Sequence, residues 1–383
     1  MMMDYSSGEQ ILESLGVTPI INAAGPVTRF SGTRPRPEAM QAMMAMVDPF
    51  VELPELIDAA GKRIAEIIGV PAATITSGAS GGLTVQTAAA MAKDDPEKIF
   101  QLPISDDVPN ELIIQRNHRF GYDHLYLTPG ARFVEVGTAD GCSPEKVEDA
   151  ITDKTAAIIH LESPYSGDNV LPIETLVEIA HRNGVPLMCD AASRLPPRKN
   201  LTKFVEAGSD LVSFSGGKGI RGPQATGLLL GSEEWIEYAK LNNAPNATVA
   251  RAQKVSKESI AGILAAVEMF VNEDEDEENR RYTRLMQSVV DQVIEIPGVH
   301  AEVVHDYNHY IPHAVLRLND SWRGPPKSVI GERMLEGPDR VVILTFLEEV
   351  ADFWVDPLNL SDEEVQQVTD KLRRVLLDAS NEG

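Results

Sequence analysis

From about residue 72 to 231, short β-type runs alternate with helical patterns, and nothing else in the chain restricts its fold as much. The runs are Ala73–Thr76, Leu112–Gln115, Arg132–Val136, Ala156–His160, Val185–Cys189 and Asp210–Phe214, several of them apolar almost throughout. A strand is apolar on both sides when both faces of its sheet are covered. Helical patterns at Gly82–Met91, Ser143–Ile151, Ile173–Arg182 and Leu201–Ala207 lie between them and supply that cover. The expectation is an α/β fold: a large, mixed, mostly parallel sheet joined by right-handed crossovers.

The flanks read differently. Ala225–Gly231 is a further strand close behind the last run, and Ser256–Phe270 is a long helix that bridges to a second unit. Beyond it, Ala301–Val304, Ala314–Leu318 and Arg340–Leu344 are strand-like. Ser361–Asp378 is an amphipathic helix whose Ser361 precedes three acidic residues, a good N-terminal cap. The first 50 residues read as an arm plus irregular chain, because Ile20–Pro37 holds too many Gly and Pro residues for a regular element. Its apolar start implies that it is anchored. A helix over Leu56–Ile68 ends at Gly69. The expected organisation is an arm over 1–55, a large α/β domain over 56–255, and a bridging helix with a smaller α+β domain over 256–383.

A chain of 383 residues is long enough for two or three such units. Lys+Arg is 34 against Asp+Glu 58, a formal net charge of −24, which disfavours a nucleic-acid partner. The acidic run between Asn272 and Asn279 reads as a solvated helix end or loop. No stretch approaches the roughly 20 apolar residues that span a bilayer, and the start lacks the pattern of a secretion signal. The two cysteines, Cys142 and Cys189, make neither a disulfide framework nor a zinc site. No membrane association and a cytoplasmic location are the default expectations.

The chemistry gathers where apolar runs end. Lys218 follows the run Asp210–Phe214 and sits among Gly216, Gly217 and Gly219, which let the backbone turn and leave room for a cofactor. A lysine there, with Asp190 closing the run Val185–Cys189, suggests pyridoxal 5'-phosphate (PLP), held as a Schiff base on the amine with its ring nitrogen paired to the aspartate. The competing readings are an ordinary surface lysine and a helix-capping aspartate. Ser77, Gly78, Ala79 and Ser80 lie between a strand and an alanine-rich helix, where main-chain amides and hydroxyls can cup a phosphate. Ser213 or Ser215 could reach the same phosphate, Ser215 being preferred, unless both hydroxyls only cap the strand end. His118 is favoured over His124 to lie against the cofactor ring, and zinc is disfavoured at His118, His124 and His160. Arg29, Arg34, Arg36, Arg119 and Arg194 are candidate receivers of a substrate carboxylate, with Arg194 foremost because it follows Asp190 by one turn. His124 is a second candidate on the substrate side.

Taken together, the chain resembles the fold-type-I PLP enzymes, in the branch of selenocysteine synthase and D-glucosaminate-6-phosphate ammonia-lyase. The stretches that carry the resemblance are INAAG at Ile21–Gly25, TSGAS at Thr76–Ser80, IIQRNHRFGYDH at Ile113–His124, CDAAS at Cys189–Ser193, SFSGGKGIRGPQATG at Ser213–Gly227 and KVSKESIAGILAAVE at Lys254–Glu268. The resemblance implies PLP on Lys218, a ring-nitrogen partner at Asp190, a phosphate cup at Ser77–Ser80 and a stacking ring at His118. It also implies a homodimer or higher homo-oligomer, with Arg221 and Gly222 at the subunit boundary. The resemblance to selenocysteine synthase is expected to cover its catalytic body and not its amino-terminal tRNA-binding domain, and Thr28–Pro35 departs from the ammonia-lyase pattern.

The reaction expected is α,β-elimination with release of ammonia from a small polar amino acid or amino sugar acid. A racemase or epimerase is the nearest rival, with His124 as a possible second acid. Selenium transfer, aminotransfer and a catalytically silent interaction protein are further alternatives.

Overall fold

The computed structural model describes residues 5, 7–163, 169–345 and 353–382. It divides into two compact units, one formed by Arg34–Glu273 and the other by Met1–Thr33 with Asp274–Gly383. The division differs from the expected one in two places. The arm up to Thr33 packs with the C-terminal part of the chain. The helix expected as a bridge, Lys257–Asn272, belongs to the large unit.

The large unit is built on seven strands: β1 (Ala72–Thr76), β2 (Glu111–Gln115), β3 (Arg132–Val136), β4 (Thr155–Leu161), β5 (Leu187–Asp190), β6 (Leu211–Ser215) and β7 (Gly227–Gly231). Their order in the sheet is β1-β7-β6-β5-β4-β2-β3, and only β7 runs antiparallel to its neighbours. Every residue of β4 is buried, which explains its apolar run Ala156–Ile159. One consequence of the strand directions is decisive: β1, β2, β4, β5 and β6 all end on the same edge of the sheet.

Helices cover both faces. In α1 (Pro37–Ala45) and α2 (Leu53–Ile68) proline occupies the first turn, where no backbone donor is lost. Gly69 ends α2 in the left-handed region at φ +84°, its amide donating to Ala65 O, the stop expected from sequence. The helix α3 (Gly78–Ala92) is buried on 13 of its 15 residues, so its Gly, Ala and Thr content reflects close packing on all sides. It begins four residues before the expected Gly82.

The first 50 residues are more regular than their Gly and Pro content suggested. Gly8–Leu15 is a helix capped by Ser7, whose Oγ accepts from Gln10 N, and α1 follows the Pro-rich stretch. Gly and Pro punctuate these helices at their ends, and a window spanning both ends shows the punctuation and hides the elements.

In the smaller unit, Val299–Val304, His313–Leu318 and Phe353–Val355 form an antiparallel sheet with His313–Leu318 central. Ile21–Ala23 pairs in parallel with Val341–Ile343, which anchors the apolar start of the arm as expected. The chain beyond it is held as an ordered loop. Asn22 Nδ2 lies within hydrogen-bond reach of Gly25 O, Phe30 O and Gly32 O, and Asn359 Nδ2 reaches Gly25 O and Gly32 O. The acidic run lies at the start of the helix Glu275–Val293, capped by Asp274, where carboxylates face the positive helix end. The terminal helix Asp362–Ser380 opens with the anticipated cap, Ser361, which forms a capping box with Glu364. Among the described residues no helix is long and apolar enough to cross a membrane, and no His, Cys, Asp or Glu cluster could hold a metal.

Candidate active site

The shared edge of the sheet collects the polar residues that end its apolar strands. The β-register sets Ser213, Asp190 and Leu161 abreast on β6, β5 and β4, and Ser215, Gly227 and Thr76 abreast on β6, β7 and β1. Lys218 leaves β6 in a turn, Asp190 closes β5, His118 follows β2 in a short 3-10 turn, and α3 begins directly after β1. A crevice at the carboxyl ends of parallel strands is where open α/β sheets bind ligands.

Lys218 and Asp190 lie close enough for each to shift the other's charge. Burial holds the Lys218 amine below its ordinary range, opposed by the Asp190 carboxylate. Burial likewise raises the Asp190 carboxyl, opposed by the Ala192 amide and the Lys218 charge. A lysine that loses its proton easily is a better nucleophile and base. Asp190 Oδ1 also accepts from Ala192 N at 3.0 Å, so the capping bond and the electrostatic coupling to Lys218 coexist in one side chain.

The glycines around Lys218 serve a purpose different from the one expected. None of Gly216, Gly217, Gly219 and Gly222 has positive φ; instead, a Cβ on Gly219 would lie 2.1 Å from Leu195 O and one on Gly216 2.4 Å from Thr226 Oγ1. They are required by close packing of the turn against the protein itself. The left-handed conformation falls on Arg221, at φ +59°.

At the start of α3 the first intrahelical bond runs from Gly81 N to Ser77 O, so the amides of Gly78, Ala79 and Ser80 precede the helical ladder. They are aligned with the positive end of the helix. Ser213 is fully buried, and its Oγ donates to Ala79 O at 3.1 Å, fixing this loop from the sheet below. A Cβ on Gly82 would meet that Oγ at 2.2 Å, which explains the glycine. Ser215, only partly buried, is the other hydroxyl on β6.

His118 is wholly buried, with Nδ1 3.3 Å from the Leu161 amide and Nε2 without a partner. Burial and the neighbouring His160 depress its pKa to about 3. His118 is therefore neutral in the folded chain at any ordinary pH, while in the unfolded chain it takes up a proton below about pH 6.5. Its contribution opposes folding as pH falls from 6.5 towards 3. In cofactor-free His118→Phe, the loss of stability between pH 7.5 and 4.5 should be smaller than in the parent protein by about 2–3 kcal/mol, at about 1.36 kcal/mol per pH unit. Urea titrations at the two pH values measure it, and an unchanged difference would mean that His118 is not buried as a neutral ring.

Three further polar residues of this edge lay beyond sequence reasoning. His160 makes an edge contact with His118, with ring centroids 4.9 Å apart, and its Nε2 lies 3.1 Å from Glu162 Oε2. Glu162 Oε1 in turn lies 3.9 Å from Arg194 Nε. Arg194 is buried, so its charge is matched by a carboxylate of the protein. Tyr126 is buried as well, its phenol pushed well above the ordinary range by burial and by Asp190. The signal that exposes Asp190, a polar residue ending an apolar strand, also marks Glu162 directly after β4. His124 is exposed at the start of the four-residue helix His124–Leu127. Arg29 is exposed in the smaller unit and stands over the Phe30 ring.

The residues present fit PLP. The lysine and carboxylate sit on neighbouring strand ends, a helix start presents unladdered amides for a phosphate, and the unpartnered Nε2 of buried His118 marks a place for a polar ligand atom.

Comparison with known proteins agrees with this reading. The family described as SelA, L-seryl-tRNA selenium transferase, matches residues 120–306. D-glucosaminate-6-phosphate ammonia lyase of Salmonella typhimurium is 28% identical over 371 residues, covering 95% of this chain and 97% of its own. The 5'-C-glycyluridine monooxygenase-decarboxylase of a Streptomyces species is 28% identical over 385 residues, covering 98% and 94%. A solved structure of D-glucosaminate-6-phosphate ammonia-lyase superposes with a TM-score of 0.84 at 27% identity, covering 96% of this chain and 98% of that one.

Proposed function

We propose a reaction for this chain from one premise: it is a PLP-dependent enzyme of fold type I, related to D-glucosaminate-6-phosphate ammonia-lyase and to the L-seryl-tRNA selenium transferases. The reaction is α,β-elimination on a small polar 2-amino-3-hydroxy acid, with amino sugar acids as the leading substrate class. Water leaves across Cα and Cβ, and hydrolysis of the unsaturated amine returns one water, so the net products are a 2-keto acid and ammonia. The single observation that carries this reading is the near full-length likeness to an ammonia lyase.

PLP, when bound, draws electrons from the carbon that bears the substrate's amino group. The residues of the chain do the rest. Lys218, once the substrate amine has taken its place, keeps Nζ beside Cα and takes the α proton. Asp190 would hold a proton on the ring nitrogen. Ser77, Gly78, Ala79, Ser80 and Ser215 would hold the phosphate, with Ser213 fixing their loop. His118 would lie against the ring. Arg194 and His124 are the proposed substrate contacts of the large unit, Arg194 with its Nε 3.9 Å from Glu162 Oε1.

Incubation with a panel of amino sugar acids and 2-amino-3-hydroxy acids in heavy water tests the reading. Ammonia with an equal amount of keto acid is the expected result. Deuterium at Cα of recovered substrate without keto acid would instead establish a racemase.

A second copy of this chain is the proposed partner. Met40 and Met44 on α1, with Val47, Phe50 and Val51 beyond it, are exposed, Phe50 by 94%. A monomer in sedimentation equilibrium at micromolar concentration would overturn this assignment. Cys142 and Cys189 are free thiols, which suits the cytoplasm as the proposed location.

A further inference from the structure

The turn that carries Lys218 is closed by its own backbone. Arg221 N donates to Lys218 O at 2.9 Å, and Gly222 N donates to Gly216 O at 2.8 Å. Closing it this way puts Arg221 in the left-handed region, an unfavourable conformation for a residue with a Cβ. Such a conformation persists only where the surroundings over-determine it.

Those surroundings come from far away in the sequence. Arg36 donates from its backbone N to Arg221 O at 2.8 Å and from Nε to Ile220 O at 3.0 Å. The remaining guanidinium nitrogens form a fork with Glu273, Nη1 to Oε1 at 3.2 Å and Nη2 to Oε2 at 2.6 Å. Glu273 is itself held, because Arg198 Nη1 donates to Val271 O at 2.6 Å and to Glu273 O at 2.9 Å. Arg36 is among the buried charged residues of the chain and Glu273 is half-buried, so the fork is shielded from water mainly on the arginine side. Arg221 adds a bond of its own, Nε to Arg34 O at 3.3 Å. The large unit begins at Arg34 and ends at Glu273, so both of its ends are tied to the lysine turn.

We propose that Arg36, oriented by Glu273, is a positioning residue for Lys218: it clamps the carbonyls of Ile220 and Arg221 and so holds the amine in register with Asp190. The guanidinium is needed for its shape as well as its charge. A lysine at this position keeps the charge but cannot bond to Ile220 O and Glu273 as a planar fork does. This inference rests on Lys218 being the residue that binds PLP, and part of its test is independent of that role.

Hydrogen exchange in the cofactor-free protein is the independent arm. In Arg36→Gln the amides of Arg221 and Gly222 should exchange at least tenfold faster, with those of α3 and the central strands unchanged. The PLP-loaded protein gives the second arm. Arg36→Lys and Arg36→Gln should lower kcat about tenfold with KM within twofold, and should shift the pH midpoint of the bound cofactor's visible band. Glu273→Gln, which leaves the bond to Ile220 O possible, should show the same changes at roughly a third of the size or less. Unchanged exchange at 221 and 222 in variants that melt at the parent temperature would overturn the proposal. If Arg36→Gln does not fold, the same comparison in Glu273→Gln decides. Absence of any visible band in the parent protein would defeat the PLP reading and leave the exchange result to judge the clamp.

Discussion

Lys218→Ala is expected to abolish turnover, with kcat/KM falling by roughly 10⁴-fold or more, which corresponds to at least about 5 kcal/mol of transition-state stabilisation. Two losses combine in this one substitution. The amine is the proposed base for the α proton, a contribution of typically 10²–10⁴-fold, and it is also the group that holds PLP covalently. The purified variant should lack the visible band that the parent shows with PLP, although the phosphate loop remains. Because the amine is partly buried beside Asp190 and its pKa is depressed by burial, its removal relieves a strained charge rather than breaking the core. The variant should melt within a few degrees of the parent, and a soluble, folded, colourless and inactive protein is the signature to look for. Retention of both the band and turnover would end the proposed mechanism.

Asp190→Asn should have the second-largest effect. An ion pair at contact in a protein interior of effective dielectric about 20 is worth about 4 kcal/mol, or about three pK units. Without the carboxylate, the ring nitrogen loses its proton more readily by that amount, and kcat should fall on the order of 10³-fold. Asparagine keeps an oxygen for the Ala192 amide, so the local turn survives. The stability effect should have the opposite sign. Burial raises the Asp190 carboxyl in the cofactor-free protein, so that group favours folding most at low pH and less as pH rises through its raised pKa. Removing the charge should therefore leave the cofactor-free protein at least as stable at pH 7 as the parent. Thermal melts and steady-state kinetics on one preparation check both signs. A purely capping aspartate would show the reverse pattern, reduced stability with little loss of turnover.

Both predictions rest on residues that could be found by eye, and the reason is local. An apolar strand that leads to a lone charge is visible within a window of eight residues, as at Val185–Asp190 and Leu211–Lys218. The same rule finds Glu162 directly after β4, whereas His160 sits inside the strand and carries no end signal. The acidic run before Asn279 was legible as a helix end because helix starts favour carboxylates. The helices Gly8–Leu15 and Pro37–Ala45 were not, since each is short and bounded by the residues that usually mean irregular chain.

The choice between Ser213 and Ser215 shows where sequence stops. Both lie on one strand with the same side-chain parity, and only the packing of α3 across β6 commits Ser213 to Ala79 O. The glycines beside Lys218 show it again, because their neighbours Leu195 and Thr226 are brought up by the fold and not by the turn.

From the order of its residues alone, this chain determined a covered parallel sheet, a lysine and an aspartate at strand ends, and a helix start fit for a phosphate. These are consequences of periodicity and of end effects within a few residues. Only the tertiary structure decided that His118 is a neutral buried ring backed by His160, that Arg194 faces Glu162, and that Arg36 and Glu273 close on the lysine turn. Burial and charge pairing depend on which distant segments meet, and the register between strands and the packing of helices across them set those meetings.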